Sequence, residues 1–155
     1  MVCISITSQT RYMLQFEIIG RPLPQQRMRF GKQGRVYNPS KKDEQCIQWQ
    51  AKFYAPQEPL MSAIQLDLTF YFEPPKSVSS MVRRQMLNHV IHHKTRPDVD
   101  NCAYIVTNAL KNMFYVDDSQ IIDLCIHKRY GHQAKTVVRI TPIEEIAPTQ
   151  GERIT

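Results

Sequence analysis

A short stretch of strict alternation sets the first constraint on the fold. From Ile64 onward, apolar side chains occupy every second position, and the stretch extends to Phe72. This period is typical of a β-strand with one face in a hydrophobic core. Pro74 and Pro75 end the strand, because proline donates no hydrogen bond to a sheet. The chain is therefore expected to build a sheet around this strand.

Apolar periodicity and proline positions predict the other elements. Further strands are expected at 12–19, 120–130 and 135–140, and helices at 40–54 and about 99–111, with a short helix that contains Met81 to Leu87 between them. Ser40 is a candidate helix cap, as is either Ser77 or Ser79. The order predicts an α+β fold with a mixed or mostly antiparallel sheet and flanking helices. We expect one domain over 1–155, in which Pro142 and a tail from about 143 to 155 are frayed.

Composition excludes several classes of protein. The 155 residues are 42% hydrophobic and 22% charged, which is typical of a globular domain. No apolar run approaches the ~18 residues of a membrane-spanning helix, and the first residues lack the basic and apolar regions of a signal peptide. We therefore expect a cytoplasmic protein that uses no membrane. Its four cysteines, with no C-x-x-C pair, are expected to be reduced thiols: Cys3, Cys46, Cys102 and Cys125.

A basic segment, which we call the arm, covers about residues 21–42. The chain has a net charge of +6, and the arm contains no acidic residue. Gly31 and Gly34 predict a turn, such as the tip of a hairpin, with Phe30 and Tyr37 interleaved among the charges. A phosphate backbone would relieve the self-repulsion of such a segment, although a solvated basic loop would have the same composition. The cations of the arm are Arg21, Arg27, Arg29, Lys32, Arg35, Lys41 and Lys42.

Two pairs of carboxylates flank the last predicted helix. Asp98 and Asp100 stand at its entrance, and Asp117 and Asp118 follow its end. Acids this close repel one another unless a cation lies between them, and a hard divalent metal ion is a suitable one. If 98–100 is extended, Asp98 and Asp100 share a face. The connection after the helix is long enough to return along it and bring Asp118 beside them.

Other interpretations of these residues are weaker. A helix cap would account for one acid among Asp98, Asp100 and Asn101, but not for the second pair. An EF-hand would need glycine and glutamate where Ala103 and Ala109 stand. Three histidines with helical spacing are candidate zinc ligands, but oxygen-rich sites suit magnesium or manganese better. These histidines are His89, His92 and His93.

The spacing of several motifs resembles the RusA-type Holliday junction resolvases, a family common in bacteria and their prophages. The resemblance covers most of the chain. It rests on Arg96-Pro97-Asp98-Val99-Asp100-Asn101, Asn108-Ala109-Leu110, Asp117-Asp118-Ser119-Gln120-Ile121-Ile122 and Lys128-Arg129-Tyr130. An N-terminal set also matches: Gly20-x-Pro22-x-Pro24, Arg27-x-Arg29-Phe30 and Tyr37-x-Pro39.

The resemblance implies a magnesium-dependent endonuclease, with manganese as the alternative ion. It implies a homodimer that resolves branched DNA, the four-way junction, by paired symmetric nicks in recombination and repair. The metal-binding positions match Asp98, Asp100 and Asp118, and Asp117 is a neighbouring acid with a supporting catalytic role. The predicted DNA-binding residues are Arg21, Arg27, Arg29, Lys32, Arg35 and Arg96.

One position departs from the family. Tyr104 stands where the family usually has lysine, one helical turn after Asp100, and a phenol carries no charge to stabilise a transition state. Lys94, Arg96 or Lys111 could substitute for it. An alternative function is therefore a branched-DNA binding protein of the same fold with attenuated or lost cleavage. A third is a metal-dependent phosphohydrolase for nucleotides or RNA.

Overall fold

The computed structural model describes residues 13–145. In these residues one four-stranded sheet has the strand order β1-β6-β4-β5, and a two-stranded hairpin lies apart from it. In chain order the elements are β1 (Leu14–Ile19), β2 (Arg29–Phe30), β3 (Val36–Tyr37), α1 (Lys41–Ala51), β4 (Ala63–Phe72), α2 (Ser80–Leu87), α3 (Val99–Leu110), β5 (Ile121–Tyr130) and β6 (Lys135–Ile143).

The sheet is mixed, so the predicted α+β fold class is confirmed. Strand β6 runs antiparallel to both β1 and β4, whereas β5 runs parallel to β4. A parallel neighbour needs a crossover connection, and residues 73–120, with α2 and α3, provide it. Strand β4 lies inside the sheet and alternates between partly exposed and buried side chains along its whole length. The alternation predicted for this strand is therefore confirmed, and the other strands lie on either side of it.

Helix α3 covers one face of this sheet with an apolar stripe. Its buried side chains recur at helical spacing, at Cys102, Ile105, Val106, Ala109 and Leu110. The burial of its three larger side chains, Ile105, Val106 and Leu110, contributes roughly 1.5–3 kcal/mol each. Helix α1 packs beside α3 and against β1. The core therefore lies between the sheet and these two helices.

Two local predictions are wrong, the helix cap at Ser40 and the fraying at Pro142. The structure also decides between the two candidate caps of α2. Ser40 occupies the cap position of α1 but makes no cap hydrogen bond, because its hydroxyl accepts from the backbone N–H of Gln26. Pro142 is not frayed: it lies in β6 and pairs with Ile64 of β4. A proline is tolerated there, because it lies beyond the last described pairing of β6 with β1. Of the two candidate caps of α2, Ser79 accepts from the N–H of Val82.

The tail from residue 146 and Cys3 lie outside the described residues. The other cysteines, Cys46, Cys102 and Cys125, are free thiols as predicted. Between residues 13 and 145, no helix is both long and apolar enough to cross a membrane. That 1–155 forms one domain stays a prediction.

Candidate functional site

The arm folds as the predicted hairpin. Arg29 pairs with Tyr37 across β2 and β3, and a short 3-10 turn over Lys32–Gly34 joins the strands. Gln33 and Gly34 both adopt positive φ angles of 72°, which a tight reversal requires and which glycine adopts without strain. Phe30 is 80% exposed at this tip. The hairpin therefore presents cations and an aromatic ring without a hydrophobic anchor of its own.

The base of the arm is fixed between α1 and α3. The backbone N–H of Gln25 donates to the carbonyl of Asn101 at 2.9 Å, and that of Gln26 donates to the Ser40 hydroxyl at 2.8 Å. The Asn38 side chain accepts from Gln25 and from the N–H of Ser40, and donates to Glu44. Ser40 thus joins the arm to the helix instead of capping it. These bonds hold the arm against the entrance of α3.

A cleft of about 590 Å³ lies between the arm and the entrance of α3. Three of the predicted DNA-binding residues line it together with one predicted metal ligand: Arg21, Arg27, Arg96 and Asp98. Among residues 13–145 the ion pairs are Lys111–Asp117 and Lys135–Glu17, so these arginines have no acidic partner there. The other predicted DNA-binding residues, Arg29, Lys32 and Arg35, are exposed on the hairpin and do not line the cleft.

The first acid pair lies at the N-terminal end of α3, as predicted, but not in the predicted geometry. Asp98 is extended at the cap position, with φ −70° and ψ 139°, whereas Asp100 already belongs to the first helical turn. The Asp98 side chain makes no cap hydrogen bond, and Asp100 accepts only from the N–H of Asn101 at 2.9 Å. Both carboxylates are exposed. They therefore remain open to a ligand from solvent.

Lys128 holds the turn that carries Asp98. Its ammonium on β5 donates to the carbonyls of Thr95 at 2.7 Å and Pro97 at 2.9 Å, and the Arg96–Pro97 peptide bond is cis. The sequence reasoning missed this role, because the partners lie more than thirty positions apart and no local pattern marks them. Lys128 thereby joins the C-terminal half of β5 to the entrance of α3.

Cys102, next to this acid pair, is closed to solvent. The side chain is fully buried in α3. Burial raises the pKa of its thiol to about 11, and the nearby charges of Asp100 and Asp98 add to this rise while Lys128 opposes it. The thiol therefore stays protonated at neutral pH.

The second acid pair opens the short 3-10 turn before β5, and Asp117 stabilises that turn. Its carboxylate accepts from the N–H of Asp118 at 2.7 Å and from the Lys111 ammonium at 2.9 Å. The hydrogen bond with Lys111 is the main reason that the pKa of Asp117 is lowered. The Gln120 side chain completes a capping box by accepting from the N–H of Asp117. The D-x-x-Q spacing is the signal that could have predicted this structural role.

Asp118 is in a different environment from Asp117. One of its carboxylate oxygens, Oδ1, is buried and has no hydrogen-bond partner in the described residues. The neighbouring Tyr115 is fully buried and donates its phenol proton to the carbonyl of Thr107 at 2.8 Å. Burial raises the pKa of this phenol, and the charge of Asp118 raises it further. A buried oxygen without a partner is costly unless a cation or donor reaches it.

The structure does not bring the two acid pairs together within one chain. The 12 residues of α3, about 18 Å at ~1.5 Å per residue, separate Asp98 from Lys111, which holds Asp117. Tyr115 donates a hydrogen bond to a carbonyl of α3, and the N–H of Leu60 donates to the carbonyl of Phe114. The segment after α3 is therefore held at the C-terminal end of the helix. The expected return of Asp118 to Asp98 and Asp100 is therefore wrong. Within residues 13–145, no three acids, histidines or cysteines converge to hold a metal ion.

The three histidines considered for zinc lie beyond α2, which ends at Leu87, so their spacing is not helical. His93 instead packs between Phe72 and Tyr130, with ring centroids 4.4 and 4.9 Å away and the rings tilted by 33° and 49°. Burial and then the charge of Lys128 lower the pKa of His93. A cavity of about 370 Å³ beside it is also lined by Arg21 and Arg96.

Over most of its length the chain is similar to a known family. The family model described as endodeoxyribonuclease RusA matches residues 20–141. This range includes the arm, the cleft and both acid pairs. The Bacillus subtilis (strain 168) protein YqaN, described as uncharacterized, is 29% identical over 137 residues, which cover 84% of this chain and 96% of that protein. The chain therefore belongs to the RusA family of endodeoxyribonucleases.

Proposed function

We propose that this protein is a magnesium-dependent, structure-selective endonuclease that resolves four-way DNA junctions by paired symmetric nicks. The cleft that Arg21, Arg27 and Arg96 line together with Asp98 carries the proposal. Cations without acidic partners in the described residues can bind phosphates, because they need not first break an ion pair. The exposed carboxylate of Asp98 lies where such a phosphate would be held.

The hairpin of the arm and the cleft would contact neighbouring parts of the DNA backbone. The hairpin, with Arg29, Lys32 and Arg35 exposed, would contact the backbone outside the cleft. Contacts of this kind position a duplex without reading its sequence. Arg21, Arg27 and Arg96 would hold the phosphate nearest Asp98. The fixed base of the arm would keep the two sets of contacts in register.

The carboxylates suit a magnesium ion in chemistry, with manganese as the alternative. Asp98 and Asp100 offer exposed oxygens, and Asp118 offers a buried oxygen without a partner. One chain does not unite them, so we propose a homodimer in which Asp118 of one copy joins Asp98 and Asp100 of the other. When bound, the ion would stabilise charge on the scissile phosphate and activate water. Asp117, which is already bonded to Lys111, would position Asp118 rather than bind the ion.

Tyr104 favours the alternative function, a branched-DNA binding protein with attenuated or lost cleavage. It is 57% exposed on α3, one turn after Asp100, where the family usually has lysine. Of the residues that could replace this lysine, Lys111 is paired with Asp117, whereas Arg96 lines the cleft beside Asp98. Arg96 is therefore the cation that we propose in the lysine's place.

The test uses a labelled four-way junction, the matching linear duplex and free nucleotides, with and without magnesium. The wild-type protein should nick the junction at symmetric positions only when the metal is present. Asp100→Asn should lose cleavage by ~100-fold or more while it still binds the junction, because the change removes one ligand charge and little volume. Glu58→Gln removes an exposed charge outside the site and is the matched control.

Each other outcome selects a different function. Tight junction binding without nicks, across magnesium, manganese and pH, would identify the branched-DNA binding protein. Hydrolysis of free nucleotides or RNA in preference to the junction would identify the phosphohydrolase. Equal loss of binding and cleavage in Asp100→Asn would mean that the acids support the fold.

A further inference from the structure

Two large aromatic side chains lie side by side on the surface at the end of α1. Trp49 is 70% exposed, and Phe53, in the 3-10 turn that follows the helix, is 78% exposed. Their ring centroids are 6.0 Å apart, and the rings are nearly perpendicular, at 86°. Exposed apolar residues that are scattered singly need no explanation, whereas adjacent ones indicate a binding surface. We call this pair the aromatic platform.

The inner side of the same segment is fixed to the rest of the protein. The Gln50 side chain accepts from the N–H of Ile19 at 2.8 Å and donates to the carbonyl of Ile19 at 3.0 Å. Ala51 is fully buried, and the Tyr54 ring stacks on Phe16 of β1 with centroids 5.3 Å apart. The platform therefore has a fixed support, so a ligand would bind it without the cost of ordering the helix.

Exposed lysines lie beside the platform. Lys42 precedes Trp49 by about two helical turns and therefore lies on the same side of α1. Lys52 is adjacent to Phe53 in the chain and is also exposed. Neither lysine forms an ion pair with any residue that the structure describes. Their charges are therefore available to an anionic ligand.

The acidic residues of α1 lie on other sides of the helix. Asp43 lines a cavity of about 310 Å³ between α1, β1 and α3. The Glu44 carboxylate accepts from the Asn38 side chain at 2.9 Å. At 3.6 residues per turn, both acids lie about a third of a turn or more from Trp49 around the helix axis. The side of α1 that carries the platform is therefore cationic.

Aromatic rings flanked by cations are the features that bind single-stranded nucleic acid. Unpaired bases stack on such rings whatever their sequence, while lysines contact the phosphates. Paired bases in a duplex already stack on each other, so their faces are not available to the platform. The start of α1 also contacts the arm, through the bond from Gln26 to Ser40. Trp49 lies about 14 Å along α1 from Ser40, at ~1.5 Å per residue.

We propose that the aromatic platform, with Lys42 and Lys52, binds single-stranded DNA by stacking its unpaired bases. The site is separate from the cleft, which none of these four residues lines. DNA is the expected nucleic acid, because the chain belongs to a family of endodeoxyribonucleases. The proposal goes beyond the proposed function, which needs contacts with phosphates but not with bases, and it requires neither a metal ion nor cleavage.

Fluorescence of the wild-type protein is the first test. Trp49 is the only tryptophan in the sequence, so the emission of tryptophan reports on the platform alone. An oligothymidylate should quench this emission to a saturating level, because a stacked base quenches an indole. Polyphosphate, which has charge but no bases, and a blunt linear duplex should quench it far less.

Variants of the platform are the second test. Trp49→Ala and Phe53→Ala should each weaken binding of a labelled oligothymidylate by about 5- to 150-fold, the effect of losing one stacked base. Trp49→Phe keeps a ring and should keep most of the affinity. Met81→Ala removes a side chain that is 72% exposed on α2 and is the matched control. Affinity for the linear duplex, measured by the same anisotropy assay, should be equal in all four.

The lysines are tested through salt. Lys42→Gln combined with Lys52→Gln should reduce the slope of log K against log salt for the oligothymidylate by about 0.7 per lost phosphate contact. Arg84→Gln, exposed on α2, is the control and should leave the slope unchanged. An unchanged slope in the lysine variant would remove the lysines from the site.

Several results would overturn the proposal. These are binding of the oligothymidylate without quenching, equal quenching by polyphosphate, and full affinity in Trp49→Ala and Phe53→Ala. Emission that changes with protein concentration alone would mean that a second copy covers the platform, and tighter binding of an oligouridylate would reject DNA as the ligand. Because cleavage is not measured, a protein that binds single strands in this way but never nicks a junction would reject the proposed function alone.

Discussion

The two ends of α3 carry carboxylates in opposite environments. At the first end, Asp98 and Asp100 are exposed and accept at most one backbone hydrogen bond between them. At the second, Asp117 is held by a capping box and by Lys111, and Asp118 has a buried oxygen. The first end is open to a substrate, whereas the second is already ordered. A helix thus separates the two halves of one candidate site.

Electrostatics explains why the two ends are built differently. The N-terminal end of a helix carries partial positive charge, which favours Asp98 and Asp100 without other partners. The C-terminal end carries partial negative charge, so carboxylates there need a cation or donors. Lys111, at the end of α3, supplies the cation for Asp117 and shares none of the described ion pairs with Asp118. The buried oxygen of Asp118 has no cation or donor within the described residues, and a bound metal ion would supply one.

The largest expected effect separates the two neighbouring aspartates. Asp118→Asn should lower the rate of junction cleavage by ~100- to 1,000-fold, because it removes charge at the proposed metal site. Asp117→Asn should leave most of the cleavage and instead lower stability, since it breaks the contacts with Lys111 and the 3-10 turn. Single-turnover cleavage and thermal unfolding of both variants measure this. Equal loss of cleavage in the two would contradict the assigned roles.

The next effect compares the cleft with the hairpin. Replacing Arg21 and Arg27 with glutamine should weaken junction binding and flatten its salt dependence, with the slope of log K against log salt reduced by about 0.9 per lost phosphate contact. The same change at Lys32 and Arg35, on the exposed hairpin, should have a smaller effect on affinity. Fluorescence anisotropy over a range of salt concentrations compares the pairs. An unchanged slope in the cleft variant would exclude phosphate contacts there.

A moderate effect concerns the contact that keeps the second acid pair at the far end of α3. Tyr115→Phe removes the hydrogen bond to the Thr107 carbonyl and should lower the free energy of unfolding by ~1 kcal/mol. Urea denaturation measures the change. Tyr54→Phe, at a half-exposed tyrosine with no described hydroxyl hydrogen bond, is the control and should have almost no effect. Equal stability of Tyr115→Phe and wild type would mean that this bond does not anchor the connection.

The smallest effect is a pH dependence at His93. Its pKa is lowered in the folded protein, so the unfolded chain binds a proton near the ordinary value of 6.5 while the folded chain does not. Stability from this group is therefore full above pH ~6.5 and decreases as the pH falls toward the folded pKa. Phenylalanine can pack between Phe72 and Tyr130 in the same way, so the melting temperature of His93→Phe should change less than that of the wild type between pH 7.5 and 5.5. His132→Asn is the control, and an unchanged slope in His93→Phe would refute this assignment.

Local patterns predict the helices and strands, whereas contacts between residues distant in the chain determine how these elements are joined. The alternation of Ile64–Phe72 and the apolar spacing of α3 each reflect one periodic element, so they are visible in sequence. The sequence alone predicts a helix cap at the Ser40 hydroxyl, because the competing N–H of Gln26 is distant in the chain.

The same limit applies to the candidate site. The positions of Asp98 and Asp100 beside a helix entrance follow from Pro97 and the periodicity after it. Whether Asp118 returns to them depended on Tyr115 and Leu60, whose contacts have no local signature. Chain length set only an upper limit on reach, and that limit allowed an arrangement that the packing of Tyr115 prevents.

Mixing two inactive variants tests the central claim, that each site combines acids from two copies, most directly. Asp100→Asn and Asp118→Asn should each lack cleavage alone. After exchange of subunits, a mixed dimer would contain one site with all its acids intact, so single-strand nicking should return to about a quarter of the wild-type rate for random pairing of equal amounts. Sites built within single chains would all remain damaged. An inactive mixture, with mixed dimers demonstrated by differently tagged chains, would therefore contradict the account.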